Sequence, residues 1–152
     1  MRQHPTLERL HRRFWGVRLG KSASVYEVVA SAIFGQLVTY QEARAARGRM
    51  VRRYGAKVEG TELVAFPTPE VVAAIPPHEL CEMGLGLRRA VTLREVARRA
   101  SRLEQLRART PEDAVTALQS IRGIGPWTAN KMAIEAFGWA DAALVEIGRA
   151  HV

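Results

Sequence analysis

The sequence predicts an all-α fold, and three observations lead to this prediction. Apolar residues recur at helical spacing in several stretches, most clearly over residues 87–107 and 126–137. A threonine is followed by proline at residues 68–69 and 110–111, a pattern typical of the first turn of a helix. Short segments with glycines or paired prolines separate the apolar stretches, and these residues favour turns between helices.

The composition indicates one basic domain. The 152 residues include 23 lysines and arginines against 15 acidic residues, which gives a formal net charge of +8 and suits a polyanionic partner. The single cysteine, Cys81, excludes a disulfide framework, a four-cysteine zinc site and a four-cysteine iron–sulfur cluster. No histidine spacing is typical of a metal site. No apolar run reaches the length of a membrane span, so we expect a cytoplasmic, nucleoid-associated protein without membrane contact.

The first half of the chain predicts a buried helix between more polar ones. Residues 1–20 combine a short helical pattern with several arginines, which is typical of a solvated basic face, with direct DNA contact as the alternative. Residues 25–34 are apolar almost all round, which predicts a central helix buried on most sides. This helix breaks at Gly35, and the next is expected from about Tyr40 to Tyr54.

The middle of the chain predicts three further helices. Short helices are expected over residues 69–75 and 77–83, and a long one from Leu87 to about Arg107. The turn before the long helix, Gly84-Leu85-Gly86, has two interpretations. It is either a packing turn beside solvated arginines or a second place where the backbone approaches a phosphate, with Arg88 and Arg89 at its edge.

The most informative stretch is a helix-hairpin-helix over residues 111–137. One helix begins at Pro111, the chain reverses at Gly123-Ile124-Gly125, and a second helix begins at Pro126. Such a hairpin exposes backbone amides at a positive helix end, which is an anion site, and the anion favoured in a basic protein is a nucleic-acid phosphate. The alternative is an ordinary turn in which glycine only caps the helices.

The residues around this hairpin resemble a known family. Residues 118–129 are similar to the helix-hairpin-helix of the base-excision DNA glycosylase superfamily (HhH-GPD), and most of all to its 3-methyladenine DNA glycosylase II branch, which repairs alkylation damage. Three other segments resemble the same branch in the same order: residues 32–38, 66–69 and 83–90. The resemblance covers roughly residues 24–145 and implies an all-α helix-hairpin-helix DNA glycosylase domain, present in part.

The resemblance assigns roles to individual residues. The position of Leu37 wedges into duplex DNA where the target base has left, and Gln36 lies beside it. The base pocket includes Trp127 and Lys131, although some relatives place an aromatic residue at the latter position. The alternative for Trp127 is an indole that only packs between the hairpin helices. The residues implied in phosphate binding are Gly123, Ile124, Gly125 and Thr128. The residues whose carbonyls would hold a monovalent cation at the hairpin are Gln119, Ile121 and Ile124.

The implied activity is hydrolysis of the N-glycosidic bond of alkylated purines in double-stranded DNA, by a monomer without any other cofactor. Glycosylases that also cut the backbone carry a lysine where this chain has Trp127, and an indole cannot form a Schiff base. The resemblance therefore implies a monofunctional enzyme. Trp127 and the single cysteine both disfavour the bifunctional, iron–sulfur class.

One catalytic residue of the family is missing from this sequence. The expected aspartate, which would stabilise the developing sugar cation, falls on Ile147. Residues 146–152 are what a common sequencing-adapter string encodes when translated, so we expect a non-native tail after a truncated domain of residues 1–145. Family members usually carry a further small domain at the N-terminus, and either it is absent here or Met1 is not the true start. The 152 residues as written are then inactive. The alternative is a non-catalytic DNA-binding module in which Ile147 is genuine.

Overall fold

The computed structural model describes residues 4–144, and within them the chain is helical with no β-strand beyond one isolated bridge, Lys57–Val64. The helices are α1 (Pro5–Arg13), α2 (Val25–Phe34), α3 (Tyr40–Tyr54), α4 (Pro69–Ala74), α5 (Pro77–Glu82), α6 (Leu87–Arg98), α7 (Ala100–Glu104), α8 (Pro111–Gln119) and α9 (Pro126–Met132). A 3₁₀ turn, Gln105–Ala108, follows α7, and a π-helical turn, Ala133–Phe137, follows α9. The prediction of an all-α fold is confirmed.

The helices begin where the sequence signals predict. Proline occupies the first turn of α4, α5, α8 and α9, where its missing N–H costs no hydrogen bond. The hydroxyl of Thr110 accepts a hydrogen bond from the amide of Asp113 at the start of α8. Thr39 and Glu42 form a reciprocal capping box at the start of α3. The predicted bounds of α3 agree with the structure, and those of α4 and α5 agree within one residue.

Helix α2 is the centre of the fold, as its apolar composition predicts. Eight of its ten residues are buried, and Val25, Val29, Ala30 and Ile33 have no measurable exposure. It packs against α3, α6, α7 and α9, so both ends of α2 meet segments from distant parts of the sequence. The helix thereby positions the two turns described below.

The prediction of a single helix from Leu87 to Arg107 is wrong. The α-helix stops at Arg98, and Arg99 has φ −103° and ψ 9° as its amide donates to the carbonyl of Val96. No proline or glycine marks this break. The bend starts a new segment, α7 and the 3₁₀ turn, which buries Leu103 and Leu106 and places Glu104 against the first turn of α2.

The first described segment is exposed. None of the residues of α1 is buried, which is compatible both with a solvated face and with direct DNA contact. Its apolar residues and those just after it are also largely exposed, including Leu7, Phe14 and Trp15. Among residues 4–144, no helix combines the length and the apolar character that crossing a bilayer requires.

Candidate nucleic-acid interface

The hairpin between α8 and α9 is a tight reversal around a buried isoleucine. Gly123 has φ +92°, a conformation that residues with a Cβ rarely adopt. Ile124 is 5% exposed and its amide donates to the carbonyl of Ile121 at 3.0 Å. Ile124 therefore anchors the turn in the core, while Gly125 after it is exposed.

The two glycines of the hairpin are needed for different reasons. A Cβ at Gly123 would lie 2.1 Å from Oγ1 of Thr92, a buried residue of α6 whose hydroxyl donates to the carbonyl of Arg88. A Cβ at Gly125 would meet nothing within 4 Å, and the φ of −97° suits any residue. The fold thus requires glycine at position 123 only, which leaves the exposed Gly125 free to admit a close external partner.

The start of α9 can accept an anion. Gly125 is the N-cap and has no side chain to satisfy the first amides of the helix, and Pro126 has no N–H. The amides of Trp127 and Thr128 are the first donors of this helix. Amides at such a position bind phosphate oxygens well because the helix dipole adds positive potential.

Gln36 joins the hairpin to the turn that follows α2. Its Nε2 donates to the carbonyl of Gly123 at 3.0 Å and to Oγ1 of Thr128 at 2.9 Å. Thr128 is 2% exposed, and its hydroxyl oxygen accepts this hydrogen bond inside the protein. The resemblance places Gln36 beside the wedge, but sequence reasoning missed its contact with the hairpin, because the partners lie 87 and 92 residues away.

Leu37 is held out from the protein at the tip of the same turn. It is 82% exposed and has φ +55°, the only positive φ of a non-glycine residue in the described chain. Leucine in this conformation is strained, and strain of this kind is typical of functional positions. From sequence alone a leucine next to an apolar helix would belong to the core, but the structure excludes that position for Leu37.

The residues after Leu37 are fixed by the capping box of α3. The backbone N and the hydroxyl of Thr39 donate to the carboxylate of Glu42 at 2.9 and 2.8 Å. These hydrogen bonds lower the pKa of Glu42 below its ordinary value. The carboxylate is therefore ionised at neutral pH. Its hydrogen bonds to Thr39 fix the first turn of α3, which begins three residues after the exposed leucine.

Trp127 lies beside the end of α2 and is half-buried. The Cη2 atom at the tip of its indole ring is 3.7 Å from the position that a Cβ on Gly35 would occupy. The Nζ of Lys131 is 6.0 Å from the centroid of the indole, and the same ammonium forms an ion pair with Glu135 in the π-helical turn. One part of the ring therefore already faces a cation whose charge is matched by a carboxylate.

Arg89 connects a third segment to this region. Its Nη1 donates to the carbonyl of Phe34 at 2.9 Å and its Nη2 to that of Gly84 at 3.4 Å. The hairpin, the turn around Leu37 and the turn Gly84-Leu85-Gly86 are thus linked side by side. Because Arg89 is engaged in these contacts, the exposed Arg88 is the one of the two with a guanidinium facing solvent.

The remaining predicted positions concern a cation and the catalytic carboxylate. The carbonyls of Gln119, Ile121 and Ile124 lie at the end of α8 and in the hairpin, and that of Ile121 also accepts the amide hydrogen bond of the turn. Among the described residues, no three His, Cys, Asp or Glu side chains come together as a metal site. Ile147 and the tail of residues 146–152 lie outside the described residues.

Comparison with known proteins gives a consistent set of relatives. No protein-family model matches the sequence. DNA-3-methyladenine glycosylase 2 of Escherichia coli is 35% identical over 127 residues, which are 82% of this chain and 44% of that protein. DNA-3-methyladenine glycosylase of Bacillus subtilis is 29% identical over 133 residues, 83% of this chain and 44% of that protein.

A solved structure agrees with these matches. The 3-methyladenine DNA glycosylase of Archaeoglobus fulgidus superposes with a TM-score of 0.77 at 35% identity, over 90% of this chain and 48% of that one. The chain therefore spans slightly less than half the length of the curated relatives that it matches.

Proposed function

The chain belongs to the helix-hairpin-helix DNA glycosylase superfamily, in its 3-methyladenine glycosylase branch, and on this premise we propose that it acts in base-excision repair of alkylated purines. The hairpin holds a phosphate of duplex DNA, Leu37 fills the space left by the extruded nucleotide, and the damaged base lies against Trp127. The protein works on nucleoid DNA in the cytoplasm as a monomer, and the glycosidic bond is hydrolysed without strand cleavage.

One observation carries this proposal: the double hydrogen bond of Gln36 to Gly123 and Thr128. Because Gln36 directly precedes Leu37, these hydrogen bonds hold the strained and exposed Leu37 close to the amides of the hairpin. A phosphate site alone would suit many DNA-binding proteins. A phosphate site fastened to an exposed apolar side chain suits a protein that opens the base stack, because the inserted side chain offsets part of the unstacking cost of a few kcal/mol.

Trp127 supports a stacking role for the damaged base. An alkylated purine is electron-poor, and stacking of a cation on an indole contributes about 0.5–2 kcal/mol. Lys131 places its own charge 6.0 Å from the same ring, and Glu135 compensates for it. We expect this ion pair to influence which bases the pocket prefers. Replacing Lys131 with methionine removes the positive charge and leaves that of Glu135, so positively charged bases should gain affinity over neutral ones in competition binding.

The phosphate contact is tested by adding a side chain where the fold tolerates one. Gly125→Leu should weaken binding of a fluorescein-labelled duplex with one abasic-site analogue by at least about tenfold, since the new side chain covers the amides at the start of α9. Gly20→Leu is the matched control, because a Cβ there also meets nothing within 4 Å. Equal affinities of the two variants, both folded by circular dichroism, would remove the hairpin from the interface.

Gly86→Leu tests whether the turn Gly84-Leu85-Gly86 also approaches a phosphate. A Cβ at Gly86 also meets nothing within 4 Å, so the fold should tolerate Gly86→Leu. A loss of affinity comparable to that of Gly125→Leu would show that this turn also approaches a phosphate. Unchanged affinity would leave it as a packing turn.

The proposed cation at the hairpin has its own test. Carbonyls of Gln119, Ile121 and Ile124 are hard oxygen donors that suit a monovalent ion bridging to a phosphate. We expect duplex affinity to be higher in potassium or sodium chloride than in tetramethylammonium chloride of equal ionic strength. The difference should disappear in Gly125→Leu, because the phosphate that shares the ion is then absent.

Catalysis requires a carboxylate that this sequence lacks at position 147. We propose that the 152 residues bind damaged DNA and release little or no 3-methyladenine from alkylated DNA. The alternative function, a DNA-binding module without catalysis, is favoured by Ile147 itself. An independent copy of the gene distinguishes the two: an aspartate codon at this position supports the glycosylase, and an isoleucine codon supports the module.

A further inference from the structure

A cleft lined by arginines lies between α3 and α5. Its lining residues are Arg49, Arg52, Arg53, Glu82 and Met83, and its volume is about 490 Å³. All three arginines come from the second half of α3 and lie within about one turn of the helix, with Arg52 and Arg53 adjacent in sequence. The cleft is separate from the hairpin, and none of the roles described so far uses it.

The lining residues leave unmatched positive charge in the cleft. Arg53 is paired with Glu79 at 2.9 Å and with Glu82 at 3.5 Å. Arg49 donates through Nε to the carbonyl of Met83 at 2.9 Å, which holds its guanidinium but does not neutralise it. Arg52 is exposed, and no acidic side chain in residues 4–144 lies within 4.0 Å of it.

The cleft continues the interface through a chain of contacts. A Cβ on Gly84 would lie 2.5 Å from Nη2 of Arg49, so this guanidinium borders the turn Gly84-Leu85-Gly86. Arg89 ties the carbonyl of Gly84 to that of Phe34 at the end of α2. Leu37 follows three residues later. The arginine cleft and the exposed leucine are therefore joined by consecutive side-chain contacts.

The distance between the cleft and Leu37 corresponds to a few base pairs. Helix α3 begins at Tyr40, just after Leu37, and reaches Arg49 about 14 Å further on at 1.5 Å per residue. Stacked base pairs rise about 3.4 Å each. A duplex that runs parallel to α3 and contacts both features therefore extends about four base pairs beyond the point of insertion.

We propose that the arginine cleft binds a backbone phosphate of the same duplex, about four base pairs from the nucleotide displaced by Leu37. This rests on the proposed function, in which Leu37 enters the base stack. Guanidinium groups match phosphate oxygens with paired N–H donors, and Arg52 and Arg49 supply them. The contact fixes the register of the duplex relative to the hairpin without reading its sequence.

An acidic protein segment is the competing occupant, and the lining argues against it. Stable protein interfaces depend on apolar or aromatic anchors at their centre. The one apolar lining residue, Met83, is 3% exposed and offers almost no surface. The two carboxylates that pair with Arg53 would also repel an acidic peptide lying along the cleft, whereas a single phosphate can approach Arg52 and Arg49 away from them.

The test compares two charge-removing variants of the 152-residue chain. Arg52→Gln should weaken binding of a duplex carrying a central abasic-site analogue about threefold to tenfold and reduce the slope of log affinity against log salt by about 0.9, the value for one phosphate contact. The matched control is Arg102→Gln, since Arg102 is also exposed and lies on α7, at the other end of α2. It should leave both the affinity and the slope nearly unchanged.

Shortening the duplex localises the contact. With ten base pairs on one side of the abasic-site analogue and two on the other, the difference between wild type and Arg52→Gln should vanish in one orientation and persist in the other. The short arm then no longer reaches the cleft. A difference that persists in both orientations would overturn the proposal, because the lost affinity would then not come from a contact at a defined distance.

The remaining outcomes distinguish a failure of this proposal from a failure of the proposed function on which it rests. If Gly125→Leu loses affinity and Arg52→Gln behaves like Arg102→Gln, the hairpin binds DNA and the cleft does not. If neither Gly125→Leu nor Arg52→Gln differs from its control, the proposed function fails as well. If a labelled polyglutamate peptide binds wild type but not Arg52→Gln, while duplex affinity is equal in both, the cleft is a protein-binding surface and the phosphate assignment is wrong.

Discussion

The two ends of helix α2 are built in opposite ways. At the N-terminal end, the carboxylate of Glu104 accepts hydrogen bonds from the hydroxyl of Ser24 at 2.8 Å and from the amides of Val25 and Tyr26 at 3.1 and 2.9 Å. These three donors share a charged acceptor at the positive end of the helix, the arrangement that favours stability. This end presents no strained backbone.

At the C-terminal end the chain leaves α2 with strain and exposure. Arg89 donates to the carbonyl of Phe34, Gln36 donates to that of Gly123, and Leu37, directly after Gln36, extends into solvent with φ +55°. The polar contacts hold a side chain in a position that contributes nothing to the core. The N-terminal end of α2 therefore stabilises the fold. At the C-terminal end, the surrounding structure holds Leu37 in an unfavourable backbone conformation next to the hairpin.

The largest expected effect comes from the glycine that anchors the strained end. Gly123→Ala puts a Cβ into a positive-φ position and 2.1 Å from the hydroxyl of Thr92. Backbone strain and overpacking together should cost about 3 kcal/mol of unfolding free energy. Urea denaturation followed by circular dichroism measures this loss.

Two further variants divide that loss into its causes. Gly84→Ala has the same backbone penalty at φ +93°, but its close neighbour is the end of the Arg49 side chain, which can move. We expect it to cost only about 1 kcal/mol. Thr92→Ala should recover part of the loss when it is added to Gly123→Ala. Equal losses for the two glycine variants would mean that the Thr92 contact is not what fixes the hairpin.

The second prediction concerns the N-terminal end. Glu104→Ala removes the acceptor for three donors, so it should lower the free energy of unfolding by about 2 kcal/mol. Duplex affinity, measured at a temperature where the variant is folded, should stay within about twofold of wild type, since this end lies far from the hairpin. A large loss of affinity in the folded variant would mean that the two ends are not independent.

The sequence predicts what depends on local chemistry. Thr110 with Pro111 marks the start of α8, the apolar composition of residues 25–34 marks the central helix, and Gly123 marks the reversal of the hairpin. Each follows from the conformational preference of one or two residues. The break at Arg99 was missed because an i to i+3 hydrogen bond, rather than proline or glycine, ends α6 there.

Contacts between distant segments could not be predicted from local patterns. Glu104 and Ser24 lie 80 residues apart, and Gln36 and Thr128 lie 92 apart. Nothing in the neighbourhood of either residue indicates its partner. The family resemblance identifies the neighbourhood of Leu37 and Trp127, but the link through Gln36 emerges only when the helices are packed around α2.

The third prediction separates stability from binding at the C-terminal end. Leu37→Asn replaces an exposed apolar side chain with one that tolerates positive φ, so the free energy of unfolding should stay equal or rise by up to about 1 kcal/mol. Affinity for the duplex with an abasic-site analogue should fall about tenfold, because the side chain that we propose to enter the base stack is no longer apolar. Fluorescence anisotropy and urea denaturation on the same samples measure the two effects.

Leu37→Met is the control for this variant. Methionine keeps an apolar side chain of similar size, so both affinity and stability should remain close to wild type. If Leu37→Asn binds the duplex as well as Leu37→Met does, the exposed leucine has no role in the interface. A clear loss of stability in Leu37→Asn would instead show that the side chain packs against the protein.

The smallest expected effect is a pH dependence confined to the N-terminal end. Burial opposes ionisation of Glu104, but the hydrogen bonds from Tyr26, Val25 and Ser24 outweigh it and hold the pKa below its ordinary value of 4.5. A carboxyl with a lowered folded-state pKa stabilises the fold above its unfolded-state value, and this contribution is lost as the pH falls through the folded-state value.

Wild type should therefore lose stability more steeply than Glu104→Gln as the pH falls below about 5, with curves that run parallel from pH 6 to 8. The difference should be smaller than the loss in Glu104→Ala, because solvent screens a partly exposed carboxylate. Thermal melts of both proteins across this range provide the measurement. Parallel curves down to pH 3 would show that the charge of Glu104 contributes nothing, and that uncharged hydrogen bonds and packing hold the N-terminal end.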